Sequence, residues 1–384
     1  MSTKVSIILL AIAMFAITFA VNIQTPLYSQ YASMSNVGTT AVTLAFAAYV
    51  LGLMPTLLFL GGLSDRVGRR LPISIALFLT IVATFLLILY PGWGSLFISR
   101  LLLGIGTGLA TTSGTAYMTE LMGEAKADKA ALLVTSMTSL GFGSGALATS
   151  ISLKFQGTTF TPYSYEAFIA FAPVLAIITL MMSKAYTRKN VSMLRLPTFP
   201  AGTWIYGIAI AIAWSTTGMI IGVIPLELER LALSDWTGMT VFLAVFVGFL
   251  SQPLARCLSN ESSLRIGFIL TFLGFVVIVI GVNYVSPSLI LIGTALTSAS
   301  SYGFIYLAAL FLFSSKDPHN RARSVAGMFI YAYVGFSLPV IGSGVIADLF
   351  GNEKALEIFL LFQIIAIICS LITWRIFAKI RKLH

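Results

Sequence analysis

The chain has 384 residues, of which 58% are hydrophobic and 9% charged, with a mean hydropathy of +0.97 and a net charge of +10. A soluble domain carries about 25% charged residues, so this chain cannot cover itself with polar surface in water, and its solvent is a lipid bilayer. The basic excess does not mark a nucleic-acid partner, because the lysines and arginines sit at the ends of apolar runs, where they orient helices.

Read from the N-terminus, apolar runs predict an all-α membrane protein with twelve transmembrane helices, at about 5–28, 41–63, 71–90, 94–118, 130–153, 165–184, 201–226, 237–255, 266–284, 287–313, 324–347 and 355–377. The start, Lys4 followed by an apolar run from Val5, resembles a signal peptide. Its apolar character continues to Leu27, and it is read as a retained first helix. The longest polar connection, 185–200, divides the chain into six-helix halves at 1–184 and 201–384. The halves echo each other weakly. Leu140-Gly141-Phe142-Gly143 matches Val334-Gly335-Phe336-Ser337, and Thr25-Pro26-Leu27 matches Ile224-Pro225-Leu226. Such short pairs also recur by chance in apolar sequence.

Charge orients the map. Nineteen of the 23 lysines and arginines fall on one set of loops together with both termini; Lys154, Arg230 and Lys354 fall on the other, and Arg100 alone lies inside a span. The positive-inside rule makes the termini and the 61–70 loop cytoplasmic. Cys257 and Cys369 are too far apart in sequence to read as a disulfide or metal framework. His319, in a loop, and His384, terminal, suggest neither a metal site nor a proton relay. No cofactor is expected, and the lack of a Walker-type phosphate loop argues against an ATP-driven pump.

Residues 61–70 read Gly-Gly-Leu-Ser-Asp-Arg-Val-Gly-Arg-Arg between the second and third apolar runs. Gly61, Leu63, Asp65, Arg66, Gly68, Arg69 and Arg70 resemble, without departure, the loop signature of the major facilitator superfamily. The resemblance implies two six-span halves with the site at the midplane between them. It also implies a conformational latch made by Gly61, Asp65, Arg66, Gly68 and Arg69. In that latch Asp65 pairs with a nearby arginine and faces the N-terminus of the eleventh helix, where the dipole favours a carboxylate.

Arg100, followed by Gly104, Gly106 and Gly108, resembles the superfamily's fourth-span motif. An intramembrane arginine is costly and by default functional. The alternative is that it snorkels, since about six residues at 1.5 Å each leave the interface within its reach. In the fifth span Gly141 and Gly145 keep the spacing of an exporter signature, but Ala146 stands where its proline is expected. Export is therefore favoured only modestly, and packing accounts for these glycines equally well.

In this superfamily spans 1, 4, 7 and 10 line the cavity. The resemblance therefore points to Asn22, Gln24, Thr112, Ser113, Trp214, Tyr302 and Tyr306, with Ser215, Thr216, Ser300 and Ser301 beside them and Tyr331 and Tyr333 in the eleventh span. None of the 13 acids falls near the middle of a span, and the polar pair of the first span is Asn22 and Gln24, where many cation-exporting relatives carry a carboxylate. A cavity holding Arg100 and no acid favours a neutral, zwitterionic or anionic solute. Proton carriers would then be Glu227, Asp348 or Glu166 at helix ends. The expected function is proton-coupled efflux of a small metabolite or drug by a monomer in a bacterial inner membrane. The alternatives are uptake of a nutrient, or a membrane sensor on the same scaffold.

Overall fold

The computed structural model describes residues 2–182 and 196–380, with side chains to residue 376. Lys184, Arg188, Lys189 and Arg195, and most of the 185–200 connection, lie outside the described residues. Among those described there are twelve helices long and apolar enough to cross a membrane: Thr3–Met34, Thr39–Phe59, Arg70–Leu89, Trp93–Met122, Glu124–Gln156, Tyr163–Leu180, Trp204–Arg230, Ser234–Arg256, Asn260–Asn283, Pro287–Lys316, Pro318–Phe350 and Asn352–Ile376. The odd-numbered spans run away from the face that carries the termini, here the terminal face, and the even-numbered spans return to it.

Several spans depart from their sequence-based limits for local reasons. The first continues past residue 28 because Thr25–Leu27 forms a 3-10 turn with Pro26 in its first turn, after which Tyr28–Met34 resumes as α-helix. The second stops at Phe59, short of 63, because Gly61 and Gly62 break it, and Leu63–Val67 forms its own short helix. The fourth, fifth and eleventh carry polar turns beyond the apolar stretch. Gly351, at φ +90°, ends the eleventh in the left-handed conformation that glycine adopts without steric cost.

Burial runs opposite to that of a soluble protein. Leu51, Phe78, Ile177 and Leu254 point outward, while Asn22, Arg100, Thr216, Glu227 and Ser300 are buried. Where the surroundings are as apolar as leucine, helix association rests on close packing and hydrogen bonds. The repeat is built on this. In the first half the first span packs on the fifth, the second and third on the fourth, and the third on the sixth. In the second half the seventh packs on the eleventh, the eighth and ninth on the tenth, and the ninth on the twelfth. Gly141 leaves room for the Phe15 carbonyl of the first span, and Gly335 leaves room for the Ala211 carbonyl of the seventh. The weak sequence echo thus marks the same helix contact twice.

The halves meet along two seams, the second span on the eleventh and the fifth on the eighth. Away from the terminal face the seams carry directed polar contacts. Asp348 accepts from the amides of Thr39 and Thr40, and the Gly238 amide donates to Ser150 Oγ at 2.9 Å. Toward the terminal face the second–eleventh seam is apolar, with Leu57 and Leu58 facing Phe329 and Ile330.

Candidate functional site

Arg100 organises the centre of the molecule. Gly104, one turn on, lets the fourth span sit against the backbone of Tyr49 and Leu53 in the second, and Gly106 does the same toward Ala76 in the third. That close approach places Arg100 over the side chains of the second span. The arginine is 1% exposed, so it does not snorkel. Its guanidinium carbon lies 5.0 Å from the ring centre of Phe46, 5.5 Å from Tyr49 and 5.8 Å from Tyr28. One Nη donates to the Val21 carbonyl at 2.6 Å, and Nε has no acceptor among the described residues. Such a cation is held by aromatic faces and backbone dipoles.

Beside it is a cavity of about 70 Å³, lined at the seam between halves by Asn22, Tyr49 and Arg100 from the first half and Trp214, Tyr302 and Tyr333 from the second. Among the described residues, no carboxylate lines it. Small-molecule sites usually occupy about 300–1,000 Å³, so the helices around this cavity are drawn in.

The tenth span supplies the opposite wall through an irregularity that the sequence did not announce. Ala299–Phe304 is a π-helical turn. The carbonyls it displaces are taken up by neighbours: Trp214 Nε1 donates to Ser301 O at 3.2 Å and Gln252 Nε2 to Tyr302 O at 3.2 Å. Ser301 Oγ in turn donates to the Ala213 carbonyl at 2.8 Å. Turns of this kind occur frequently at functional sites. Here the turn carries Tyr302 to within 5.3 Å of Trp214, measured between ring centres, and Tyr333 stands at 5.2 Å on another side of the indole.

Four residues singled out in sequence join Arg100 at the cavity: Asn22, whose Nδ2 donates to the Phe142 carbonyl at 2.8 Å, Trp214, Tyr302 and Tyr333. Gln24 does not; it is fully buried and donates back to Val21 O at 2.7 Å. Thr112 bonds to its own helix at Gly108 O, and Ser113 is buried beside Gly114, where the fourth span packs on Met14. Tyr306 lies outside the cavity lining and packs against the core. Tyr331 packs on Phe199 and Phe313, away from the cavity. The sequence reading missed Tyr28, Phe46, Tyr49 and Phe336. Their signal was aromatic residues near or within apolar spans, which composition alone cannot tell from ordinary packing.

The 61–70 loop forms a compact knot. Gly68, at φ +95°, turns the chain so that Arg69 folds back over the short helix. Arg69 bonds Asp65 at 2.7 Å, Ser64 Oγ at 2.7 Å and Glu120 of the fourth span at 2.8 Å. Arg70 caps the end of the sixth span through the carbonyls of Leu180 and Met182. Gly61 is buried and Arg66 exposed.

The three acids at helix ends differ. Glu227 is fully buried and doubly bonded to Arg230, at 2.6 and 2.9 Å. Asp348 spans the seam between halves, as above. Glu166 is exposed in the first turn of the sixth span.

Two six-span halves around a buried polar centre define a polytopic membrane protein. The sequence profile of the Major Facilitator Superfamily matches residues 10–338, and the chain belongs to that family. Among curated relatives it is similar to the probable vesicular acetylcholine transporter-A of Danio rerio, 28% identical over 181 residues, covering 46% of this chain and 33% of the relative. The corresponding transporter-B is 26% identical over 186 residues, covering 47% of this chain and 36% of the relative. The chain thus spans about a third of the length of these relatives. Among solved structures, a bacterial homolog of the human lysosomal transporter Spinster, inward-facing and unoccupied, superposes with a TM-score of 0.78 at 13% identity, over 98% of both chains. The nucleoside transporter NupG gives 0.74 at 14% identity, over 96% of this chain and 99% of the other. At these identities the likeness is one of fold.

Proposed function

We propose that this carrier exports a neutral, zwitterionic or anionic small organic solute by alternating access, in exchange for protons. One observation carries the reading: Arg100 is buried at the cavity with no carboxylate beside it among the described residues. A desolvated cation without a counter-charge is costly, and a ligand of opposite sign offsets that cost. The asymmetry of loop charge supports cytoplasmic termini, and we assign the chain to a bacterial inner membrane as a monomer. Glu227 is the favoured proton carrier, because its carboxylate is fully buried and its partner Arg230 is half exposed.

A second reading rests on the aromatic wall. Trp214, Tyr302 and Tyr333 form the kind of surface that binds a quaternary ammonium, and the curated relatives are named for acetylcholine. Arg100 opposes it, since a cationic solute would enter beside an unneutralised guanidinium. The deciding experiment is efflux of an anionic and a cationic dye from energised cells, with and without the protein. Export of the anion is expected. Robust proton-driven export of the cation, with none of the anion, overturns the charge argument in favour of the second reading.

A further inference from the structure

A second built feature lies on the outside of the second half. Between the ninth and twelfth spans, toward the terminal face, lies a groove of about 780 Å³. Its two ends differ in chemistry. The rim at the terminal face carries Glu261, Arg265, Trp374 and Arg375; the remainder is apolar, with Phe268, Phe272, Ile364 and Ile368 among its walls. Ile269 and Ile368 are half exposed, so the groove opens outward, toward lipid.

We propose that this groove binds one anionic phospholipid, its phosphate between Arg265 and Arg375 and an acyl chain along the apolar walls. Length is the first argument. Glu261 to Phe272 on one helix and Ile364 to Arg375 on the other each span eleven steps, about 16 Å at 1.5 Å per residue. One leaflet is half of the ~30 Å hydrocarbon core. The groove therefore has the depth of a single lipid, with its polar end where a headgroup lies.

Charge is the second argument. The rim holds two arginines against one glutamate. Glu261 reaches Arg265 only at 3.6 Å, with both side chains 64% exposed, and such a surface pair is weak. Arg375 has no carboxylate partner among the described residues. The Arg265 guanidinium lies 5.2 Å above the Trp374 ring, which holds it at the depth where tryptophan anchors helices in the interface. A fork of donors so placed suits a phosphate, and basic pockets between helices are where anionic headgroups bind.

The test uses the full chain in nanodiscs of mixed phosphatidylcholine and phosphatidylglycerol, followed by transfer to detergent and quantification of retained lipid. Wild type should keep phosphatidylglycerol several-fold above its bulk ratio. The double variant Arg265→Gln/Arg375→Gln should lose that enrichment. Lys129→Gln, which removes a charge from the same face of the other half, should keep it. Ile368→Trp fills the groove without touching the arginines and should lose it too, which separates lipid seating from any failure of the double variant to fold. Glycerol phosphate should not displace the retained lipid. Equal retention in wild type and both groove variants, or displacement by glycerol phosphate or inorganic phosphate alone, overturns the proposal.

Discussion

The carboxylate of Asp348, near the end of the eleventh span, accepts the backbone amide of Thr39 at 2.6 Å and so caps the second span, which belongs to the other half of the molecule. Its second oxygen accepts the Thr40 amide at 2.9 Å. A Cβ on Gly38 would displace this carboxylate. A helix start offers free N–H groups and a positive dipole end, and a carboxylate on them contributes about 1 kcal/mol. Because the bond joins the halves, that energy belongs to one conformation of the transporter, the one closed at this face.

Asp348→Ala should therefore open this face more often. In a background lacking Cys257 and Cys369, a cysteine replacing cavity-lining Ile221 reports on it through an impermeant thiol reagent. Labelling should rise several-fold in Asp348→Ala. Asn caps helices as well as Asp, so Asp348→Asn should stay near the parent. Unchanged labelling in Asp348→Ala would show that the cap holds nothing closed.

Arg69 is the hub of the knot formed by the 61–70 loop at the terminal face. Its removal leaves Asp65 and Glu120 to lose a shared cation, whereas Asp65→Asn removes one arm of three. Arg69→Ala should therefore lower transport more than Asp65→Asn, at equal abundance in the membrane. The double variant should be no worse than Arg69→Ala alone, because contacting residues are not additive. Additive losses would place the two side chains in separate roles.

Gly104 and Gly94 lie on the same helix and make a controlled pair. A Cβ on Gly104 would run into the backbone of Tyr49 and Leu53, while one on Gly94 meets nothing within 4 Å. Overpacking costs about 1–3 kcal/mol. Gly104→Ala should lower the melting temperature in detergent and Gly94→Ala should not. A neutral Gly104→Ala would mean that the second and fourth spans part easily.

These cases show what could be read from the sequence. Span number and topology were legible, because burying backbone in lipid requires helices of one approximate length. The Gly141 and Gly335 echo was legible because both positions must admit a neighbouring carbonyl. The cavity was only partly legible. Arg100 announced itself as a charge in an apolar run, but Phe46 and Tyr49, which cradle it, look like any aromatic in a membrane helix. The π-turn at Ala299–Phe304 depends on donors from Trp214, Ser251 and Gln252, which are remote in sequence. Asp348 looked like a helix-end acid, and nothing near it in the chain pointed to Thr39, 309 positions away.

If Glu227 carries the coupling proton, fixing it in the neutral form should uncouple transport from pH. Glu227→Gln should retain solute exchange but lose its acceleration by a proton gradient, measured in proteoliposomes. Asp348→Asn and Glu166→Gln should keep the gradient response. A Glu227→Gln protein that still responds fully to the gradient would leave the Glu227–Arg230 pair a purely structural contact.

Arg100 supplies the last prediction. Its guanidinium meets three rings and one carbonyl at once. Lysine would preserve the charge but replace a planar fork with a compact, strongly hydrated ammonium. That group cannot spread over Phe46, Tyr49 and Tyr28 while also reaching Val21 O and a solute. Arg100→Lys should therefore fold, because the buried charge keeps its aromatic surroundings, yet lose at least about tenfold in transport, a change worth ~1.4 kcal/mol or more. An anionic solute should suffer more than a neutral one of the same size, since only the anion uses the fork directly. Equal losses for both solutes would mean that Arg100 shapes the cavity without touching the cargo. Wild-type transport of both would show that its position at the seam is incidental to function.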